Sequence, residues 1–438
     1  MKRTGQKLWE KAKKLIPGGN QLLSKRAEMF LPNEWPAYFS KAKGPYIWDI
    51  DGNKYLDMSI MGIGACPLGY ADPDVNKAVK AVIDKGSMAT WNTPDEVELA
   101  ELLTKIHPWA DMVRYARTGG ESMAIAARIA RAHTGRDIVA FCGYHGWSDW
   151  YLATNLKDPK GLNEHLLAGL EPKGVPEGLR GSILPFRYNR IDELEALVKQ
   201  TNGKLAAIIM EPVHGEEPKD DFLNKVRAIA TKTGAVLVFD EISIGWKETV
   251  GGSHLIYKVQ PDMAIFSKGM SNGYPMAAII GKRSVMQSAQ DTFISSTYWT
   301  ESIGPAAALA TIKKMKRLNV PKHLKKIGTL ANEGLERLAR KHGLKVNIGG
   351  TATMGFFSFD YGTESNAVKT LFTQEMLKRG ILAASRFYPS YTHTEKHVEQ
   401  YLRVMDEVFA LMSVAIEKGT VHSLLQGPVA HGGFQRLN

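Results

Sequence analysis

The chain of 438 residues has little cysteine and no long apolar run, and both shortages exclude classes of protein. Its two cysteines, Cys66 and Cys142, do not suggest a disulfide framework and fit a reducing cytoplasm. No segment approaches the roughly 18 consecutive apolar residues of a membrane span. The basic N-terminal segment MKRTGQKLWEKAKKLIPGG predicts an amphipathic helix and not a secretory signal, because it lacks a continuous apolar stretch. We therefore expect a cytoplasmic protein with no membrane partner.

Acidic residues are also outnumbered. The chain has 56 lysines and arginines against 45 aspartates and glutamates, a formal net charge of +11. This excess indicates either a lysine-rich solvated surface or an anionic partner, such as a phosphorylated cofactor, an acidic substrate or nucleic acid. Because the basic residues are scattered, the pattern is a weak one for nucleic acid, and no nucleic-acid partner is predicted.

What the sequence does contain is a regular alternation of helix and strand patterns, roughly over residues 75–300. The runs LAAIIM, AVLVFD and MAIFS are continuously apolar, which is typical of parallel strands covered on both faces. Between strand patterns, ESMAIAARIARAHTG has helical spacing and ends at Gly135. The sequence therefore predicts an α/β fold built on a doubly wound, mostly parallel sheet.

The two ends of the chain have a different pattern. AYFSKAKGPYIWDIDGNKYLDM predicts a β-hairpin that turns at Asp51-Gly52. A long helical region is predicted from about Ser302 to His342, and a mixed region of strands and helices follows it.

Residues with distinctive chemistry follow the predicted strands. Gly119 and Gly120 follow MVRYAR, Tyr144 follows IVAFC, Asp240 ends AVLVFD, and Lys268 follows MAIFS. Because ligands of open α/β sheets bind outside the carboxyl ends of the strands, we expect these residues to lie at one edge of the sheet.

Each of these residues also has an ordinary interpretation. A glycine pair opens many turns without a ligand, although at a helix N-terminus it can bind phosphate. Asp240 could cap a helix or face a buried cation, and Lys268 could be exposed or form a Schiff base. Together they match pyridoxal phosphate, which needs an amine for its aldehyde, a carboxylate for its ring nitrogen, a phosphate cradle and an aromatic against its ring.

A set of longer motifs follows a familiar order: IPGG, GPYIWDIDGNKYLDM, ARTGGES, GYHGWSD, IIMEPVHGE, VLVFDEISIG, FSKGMSNGYPMAAIIGK and YTHTEKHVEQ. With these motifs the chain resembles the class III pyridoxal-phosphate aminotransferases of fold type I, nearest the glutamate-1-semialdehyde aminomutase branch. The resemblance implies a large cofactor-binding domain over residues 75–315. It also implies a small α+β domain from residues 1–74 and 316–438, and a homodimer with shared active sites.

The resemblance also implies roles for individual residues. Lys268 would be the Schiff-base lysine and proton carrier, and Asp240 would pair with the ring nitrogen. No metal ligands are implied. The remaining cofactor contacts would be the phosphate-binding turn Thr118, Gly119 and Gly120, the ring-packing Tyr144 and Ile242, Glu211 behind Asp240, and Thr297, which would reach the phosphate of the neighbouring subunit.

Departures from the family pattern bear on the substrate. The implied substrate contacts are Arg26, His145, Trp147, Glu216, Tyr298 and Trp299, and aromatic residues replace small ones at several of these positions. In this the chain is similar to aminotransferases of surface-polysaccharide pathways, such as the one that forms 8-amino-Kdo. The tryptophans could pack on a sugar or belong to the core.

The expected activity is transfer of an amino group from L-glutamate to an aldehyde or ketone, preferably an oxidised sugar. Two alternatives stay open: glutamate-1-semialdehyde 2,1-aminomutase, and a non-catalytic protein that binds a small ligand or nucleic acid.

Overall fold

The computed structural model describes residues 3–437. The chain forms two compact units: one combines the residues up to Asp72 with those from Lys322 onward, and the other spans Pro73–Pro321. Among the described residues, no helix has both the length and the apolar character that crossing a bilayer requires.

The first segment of the chain begins with a helix and continues as a small meander. The predicted turn at Asp51-Gly52 joins two antiparallel strands, but a third strand pairs with the first of them, so three strands form where one hairpin was predicted. The elements are α1 (Thr4–Leu15), β1 (Phe39–Lys43), β2 (Tyr46–Asp49), β3 (Lys54–Met58) and α2 (Met61–Gly64).

The unit Pro73–Pro321 alternates helices and strands, as predicted. Its elements are α3 (Pro73–Lys85), α4 (Pro94–Ile106), β4 (Met112–Ala116), α5 (Gly119–Thr134), β5 (Ile138–Cys142), α6 (Asp149–Leu152), α7 (Thr154–Lys157), β6 (Ile183–Pro185), α8 (Ile191–Gln200), β7 (Leu205–Met210), α9 (Phe222–Thr233), β8 (Val236–Asp240), α10 (His254–Tyr257), β9 (Met263–Phe266), β10 (Ala277–Gly281), α11 (Arg283–Met286) and α12 (Ile303–Leu318).

These strands form one seven-stranded sheet in the order β4-β10-β9-β8-β7-β5-β6. Neighbours from β9 to β6 are parallel, whereas β10 is antiparallel to both β9 and β4. Every residue of β7, β8 and β9 is buried, which explains why their sequences are apolar without alternation. The prediction of a mostly parallel α/β fold is confirmed.

The helix α5 has clear start and stop signals in the sequence. Thr118 and Glu121 form a capping box, in which Glu121 Oε2 accepts the Thr118 amide at 2.9 Å. Gly135 ends the helix in the left-handed conformation, with φ +63°. The helix therefore begins directly after β4, at the edge of the sheet where the strand-end residues lie.

The last segment is the mixed region that the sequence predicts. The helical region from Ser302 to His342 is two helices and not one, because Asn319 adopts a left-handed conformation with φ +46°. The elements after it are α13 (Val320–Lys341), β11 (Val346–Gly349), β12 (Gly355–Phe359), α14 (Ser365–Lys378), β13 (Ile381–Ala383), β14 (Arg386–Phe387), α15 (Glu395–Glu417) and α16 (Val421–Leu424). In this unit β13 extends the N-terminal meander, and β11, β12 and β14 form a second small sheet.

Candidate functional site

Four adjacent strands of the large sheet end in residues that the sequence singled out. Asp240 is the last residue of β8, and Lys268 lies two residues beyond the end of β9. Glu211 directly follows β7, and Tyr144 lies two residues beyond β5. Since β9, β8, β7 and β5 are consecutive and parallel, these four residues share one edge of the sheet.

Asp240 is a buried carboxylate with two donors. Its side chain is 3% exposed, its Oδ1 accepts the Ile242 amide at 2.9 Å, and its Oδ2 lies 2.8 Å from His145 Nδ1. Burial raises the pKa of Asp240, and the hydrogen bond and charge of His145 oppose that rise. A cation beside Asp240 would favour its ionised form further.

His145 was predicted to contact the substrate, but its position in the structure differs from the one expected of a substrate contact. Its ring is buried, with Nδ1 on Asp240 and Nε2 3.0 Å from the Cys142 carbonyl oxygen. A carbonyl only accepts, so Nε2 carries a hydrogen, and both ring nitrogens are occupied. The prediction that His145 contacts the substrate is therefore not supported; the residue orients Asp240.

Lys268 projects its amine onto the loop that follows Asp240. Its Nζ donates to Ser243 Oγ at 2.6 Å. The lysine has a left-handed backbone, with φ +43°, a conformation that costs a non-glycine residue about 1 kcal/mol. Sequence reasoning missed Ser243, although its place three residues after Asp240 on the same loop was a usable signal.

A second lysine meets the same serine and was also missed. Lys247 is 2% exposed, and its Nζ donates to the Ser243 carbonyl oxygen. Burial lowers the pKa of Lys247 to about 7, with a further contribution from the charge of Lys268. Ser243 thus holds two amines, one on its hydroxyl and one on its carbonyl.

The first turn of α5 lies beside this cluster and carries the glycine pair. A Cβ atom on Gly119 would lie 3.0 Å from Ile242 Cδ1, and one on Gly120 would lie 2.8 Å from Trp147 Nε1. Both positions are therefore tight for any side chain. The leading amides of a helix have no intrahelical acceptor and carry partial positive charge, so this turn suits an anionic group.

Two aromatic residues, Tyr144 and Trp147, follow β5, and Trp147 reaches the glycine turn. Tyr144 is 39% exposed and its ring meets the Tyr151 ring edge-on, with centroids 6.0 Å apart. Trp147 is 69% exposed. Ile242 is buried at the opposite side of the glycine turn, where it packs into the core of the unit.

Glu211 is paired with a histidine that the sequence analysis did not select. His214 Nδ1 hydrogen-bonds to Glu211 Oε2, and the Tyr144 amide donates to the same oxygen at 3.4 Å. Burial alone would raise the pKa of Glu211, but His214 lowers it below its usual value, with smaller contributions from His145 and Lys268. The signal for His214 was its position three residues after a strand-end glutamate.

The remaining predicted contacts are dispersed. Thr297 and Tyr298 lie in an exposed turn before α12, and Trp299 packs against the core. Glu216 is exposed and accepts from Asn189 Nδ2 at 3.0 Å. Arg26 belongs to the other unit, where its Nη1 donates to the Gln435 carbonyl at 3.1 Å. Substrate contacts by these residues stay predictions.

The residues at the sheet edge fit pyridoxal phosphate. The first turn of α5 offers the free amides of a helix N-terminus to a phosphate, and the buried Asp240 offers negative charge to a protonated ring nitrogen. Lys268 supplies the amine within reach of the same loop, and the half-exposed Tyr144 supplies an aromatic face. This donor set has a counterpart for each part of the cofactor.

Comparison with known proteins gives the same chemistry. The family model for aminotransferase class-III matches residues 32–409. The chain is 30% identical to 3-aminobutyryl-CoA aminotransferase of Cloacimonas acidaminovorans, over 92% of this chain and 96% of that protein. It is 31% identical to glutamate-1-semialdehyde 2,1-aminomutase of Thermodesulfovibrio yellowstonii, over 93% of this chain and 99% of that protein. The fold is similar to the PLP form of the FumI protein of Sphingopyxis sp. MTA144, with a TM-score of 0.83, 26% identity, and coverage of 97% of this chain and 98% of that one.

Proposed function

The chain belongs to the class-III aminotransferase family, and from that premise we propose that it moves an amino group from L-glutamate to the aldehyde or ketone of an oxidised sugar. The enzyme is a pyridoxal-phosphate-dependent aminotransferase, so the alternative of a non-catalytic binding protein is set aside. The proposed acceptor is similar to 8-oxo-Kdo and serves a lipopolysaccharide or another surface polysaccharide. The unit Pro73–Pro321 is the proposed cofactor-binding domain.

Residues of the sheet edge take distinct roles in this proposal. Pyridoxal phosphate, when bound, supplies an aldehyde that captures amines and an electron-poor ring that makes the neighbouring C–H bond acidic. Lys268 takes up and returns that proton at its Nζ, which Ser243 Oγ positions at 2.6 Å. Asp240 keeps negative charge against the ring nitrogen, and His145 and the Ile242 amide hold its carboxylate in place.

The other residues bind and orient. The amides of Gly119 and Gly120 bind the phosphate at the start of α5, with Thr118 capping the helix. Tyr144 and Ile242 would confine the two faces of the ring. Ile242 lies next to the glycine turn, and Tyr144 lies two residues beyond β5 at the same edge of the sheet.

One observation carries the choice of a sugar. Trp147 is 69% exposed although its indole reaches the first turn of α5, where the cofactor phosphate is placed. Such a ring offers a flat apolar face for the C–H surface of a sugar.

The second candidate is glutamate-1-semialdehyde 2,1-aminomutase. The similarity to the enzyme of that name in Thermodesulfovibrio yellowstonii, over 93% of this chain, supports it. An aminomutase, unlike the proposed aminotransferase, needs no external amino donor. One assay can therefore distinguish the two functions.

We expect that L-glutamate converts the purified protein to its amine-loaded form, with loss of the yellow absorbance of the cofactor. That form should then recover its colour with the oxidised sugar and not with glutamate-1-semialdehyde. The control is glutamate-1-semialdehyde offered to the yellow form without any donor. Its isomerisation there, with no recovery of colour by the sugar, would replace the proposal with the aminomutase.

A homodimer is part of the same proposal. Large apolar side chains of the unit Pro73–Pro321 are exposed, among them Trp91 at 88%, Phe293 at 84% and Tyr298 at 71%. We propose that these side chains contact a second copy of the chain. The exposed Thr297 lies beside Tyr298, so a second copy covering this surface would receive its hydroxyl.

We expect Thr297→Val to weaken cofactor binding roughly ten- to a hundredfold. Loss of a hydrogen bond to a charged group costs about 1.5–3 kcal/mol, and 1.4 kcal/mol is about a factor of ten. The measurement is cofactor affinity by titration of the cofactor-free protein. Thr300→Val is the matched control, because the Thr300 hydroxyl donates at 2.9 Å to the Thr297 carbonyl of its own chain.

Mixed dimers test whether the threonine acts across the interface. A Thr297→Val chain is paired with a Lys268→Ala chain, so the one site with an intact lysine receives its threonine from the partner. That site should bind cofactor normally and turn over. Activity no better than that of the Thr297→Val homodimer, counted per intact lysine, would show that Thr297 acts within its own chain.

A further inference from the structure

His214, which pairs with Glu211, has no role in the proposed chemistry. Glu211 directly follows β7, and its Oε2 binds both His214 Nδ1 and the Tyr144 amide. The imidazole is thereby fixed at the edge of the sheet where Asp240 and Lys268 also lie.

The environment of His214 favours its charged form. Burial alone would lower the pKa of His214, but the hydrogen bond and charge of Glu211 raise it above the usual value. The Tyr188 ring lies 6.1 Å from the His214 ring, and its hydroxyl donates to the Pro212 carbonyl at 2.6 Å, so it stays neutral. Burial lowers the pKa of His165 to about 4, and the charge of His214 contributes to this shift. His165 therefore adds no charge near His214.

Charged groups farther away than Glu211 do not neutralise the positive charge of His214. Beyond Glu211, the charges of Lys268 and His145 act on the same carboxylate. Glu216, on the same loop, is exposed and salt-bridged to Lys219. Glu211 is therefore the acid that holds the imidazolium in place.

One side of the imidazole is open. The His214 side chain is 30% exposed, and in the part of the chain that the structure describes its Nε2 has no hydrogen-bond partner. When the imidazole is protonated, it has one unused N–H donor, which is suited to a carboxylate because charge-assisted hydrogen bonds are the stronger ones.

We propose that His214 is a specificity-determining residue whose Nε2–H binds a carboxylate of the substrate. This inference rests on the proposed function, in which the donor L-glutamate and a Kdo-like acceptor both carry carboxylates. It extends that function by selecting anionic substrates over neutral amines and neutral sugars.

Binding of two unreactive probes tests the inference without measuring turnover. Glutarate stands for the donor and unoxidised Kdo for the acceptor, each titrated by calorimetry into the cofactor-loaded protein over a range of pH. In the wild type, affinity should fall as the pH rises through the pKa of His214, because the imidazolium loses its proton. His214→Gln keeps a donor for Glu211 and removes the charge. It should weaken binding at mildly acidic pH about ten- to a hundredfold and flatten the pH dependence.

The outcomes separate the two sources of the carboxylate. If only glutarate binds more weakly, His214 binds the carboxylate of the donor. If only Kdo binds more weakly, His214 binds the carboxylate of the acceptor. If both bind more weakly, the two carboxylates share one position. His133→Gln is the matched control, because His133 lies in the same unit and contacts Ser288 Oγ at 3.4 Å. Unchanged affinity and an unchanged pH slope for both probes in His214→Gln would overturn the inference.

A measurement on the wild type is independent of how the variant folds. Binding of glutarate or Kdo to a half-protonated His214 must take up protons, which calorimetry in two buffers of different ionisation enthalpy detects. Binding of both probes without proton uptake near the pKa of His214 contradicts the inference. The proposed sugar acceptor is tested separately by the colour-recovery assay, because that assay measures amino transfer and not affinity for glutarate.

Discussion

Replacing Lys268 with alanine is expected to abolish transamination and leave the fold intact. Lys268 Nζ is placed by Ser243 at the sheet edge, and no other lysine amine has the same hydroxyl contact among residues 3–437. Loss of a positioned acid–base group alone costs about 10²- to 10⁴-fold, and this lysine would also supply the bond to the cofactor aldehyde. The measurement is turnover of L-glutamate by purified protein, with cofactor content determined after denaturation.

The proposed phosphate and ring contacts do not involve Lys268, so the variant should still retain cofactor. Lys268→Gly is a matched partner because the backbone at this position has φ +43°. Glycine adopts that conformation without the cost borne by alanine, so Lys268→Gly should be equally inactive and no less stable than Lys268→Ala. A small amine added in solution should restore part of the rate in both. Substantial transamination by Lys268→Ala without added amine would refute the assignment.

Replacing Asp240 with asparagine should lower the rate far more than it lowers cofactor occupancy. The carboxylate favours a protonated ring nitrogen by its charge, and an amide lacks that charge. Removing one preorganised electrostatic group costs roughly 10²- to 10³-fold in rate. Occupancy should change only a few-fold, because the substitution does not alter the proposed phosphate site at the start of α5. Rate and occupancy are measured on the same preparation.

The hydrogen bonds around Asp240 can survive this substitution. The asparagine oxygen can still accept the Ile242 amide, and its NH₂ group can donate to a neutral His145 that keeps its Nε2–H on the Cys142 carbonyl. The change therefore removes charge without leaving a buried donor unpaired. Equal losses of rate and occupancy would point instead to a purely structural aspartate.

Asp262 provides the matched control for a structural carboxylate. It is salt-bridged to Arg227 and Lys282, each at 2.8 Å, and it precedes β9 at the opposite end of that strand from Lys268. Asp262→Asn should lower the thermal midpoint and leave the rate per folded, cofactor-loaded site unchanged. A loss of rate as large as that of Asp240→Asn would mean that charge removal anywhere in the sheet impairs the enzyme.

The α/β fold and the edge of the sheet that carries the distinctive residues could be predicted from the sequence alone. Fully apolar runs require burial on both faces, and a parallel sheet is the arrangement that provides it. Strand ends are local features, so the residues that follow them, including Asp240 and Lys268, could be selected from the sequence. The start and stop of α5 were likewise encoded locally, by Thr118, Glu121 and Gly135.

The pairing of polar groups from different elements could not be predicted in this way, because it depends on the three-dimensional arrangement. His145 and Asp240 are 95 residues apart, and Lys268 and Ser243 are 25 apart, so no local pattern specifies either contact. The same holds for Lys247, whose burial depends on the packing of its loop. Hydrophobic periodicity indicates which residues of one helix or strand are buried and which face of that element they occupy. Hydrogen bonds between different elements depend on the order of the strands and on the length of the side chains. For that reason, the contacts of His145, Ser243 and His214 could be identified only in the folded structure.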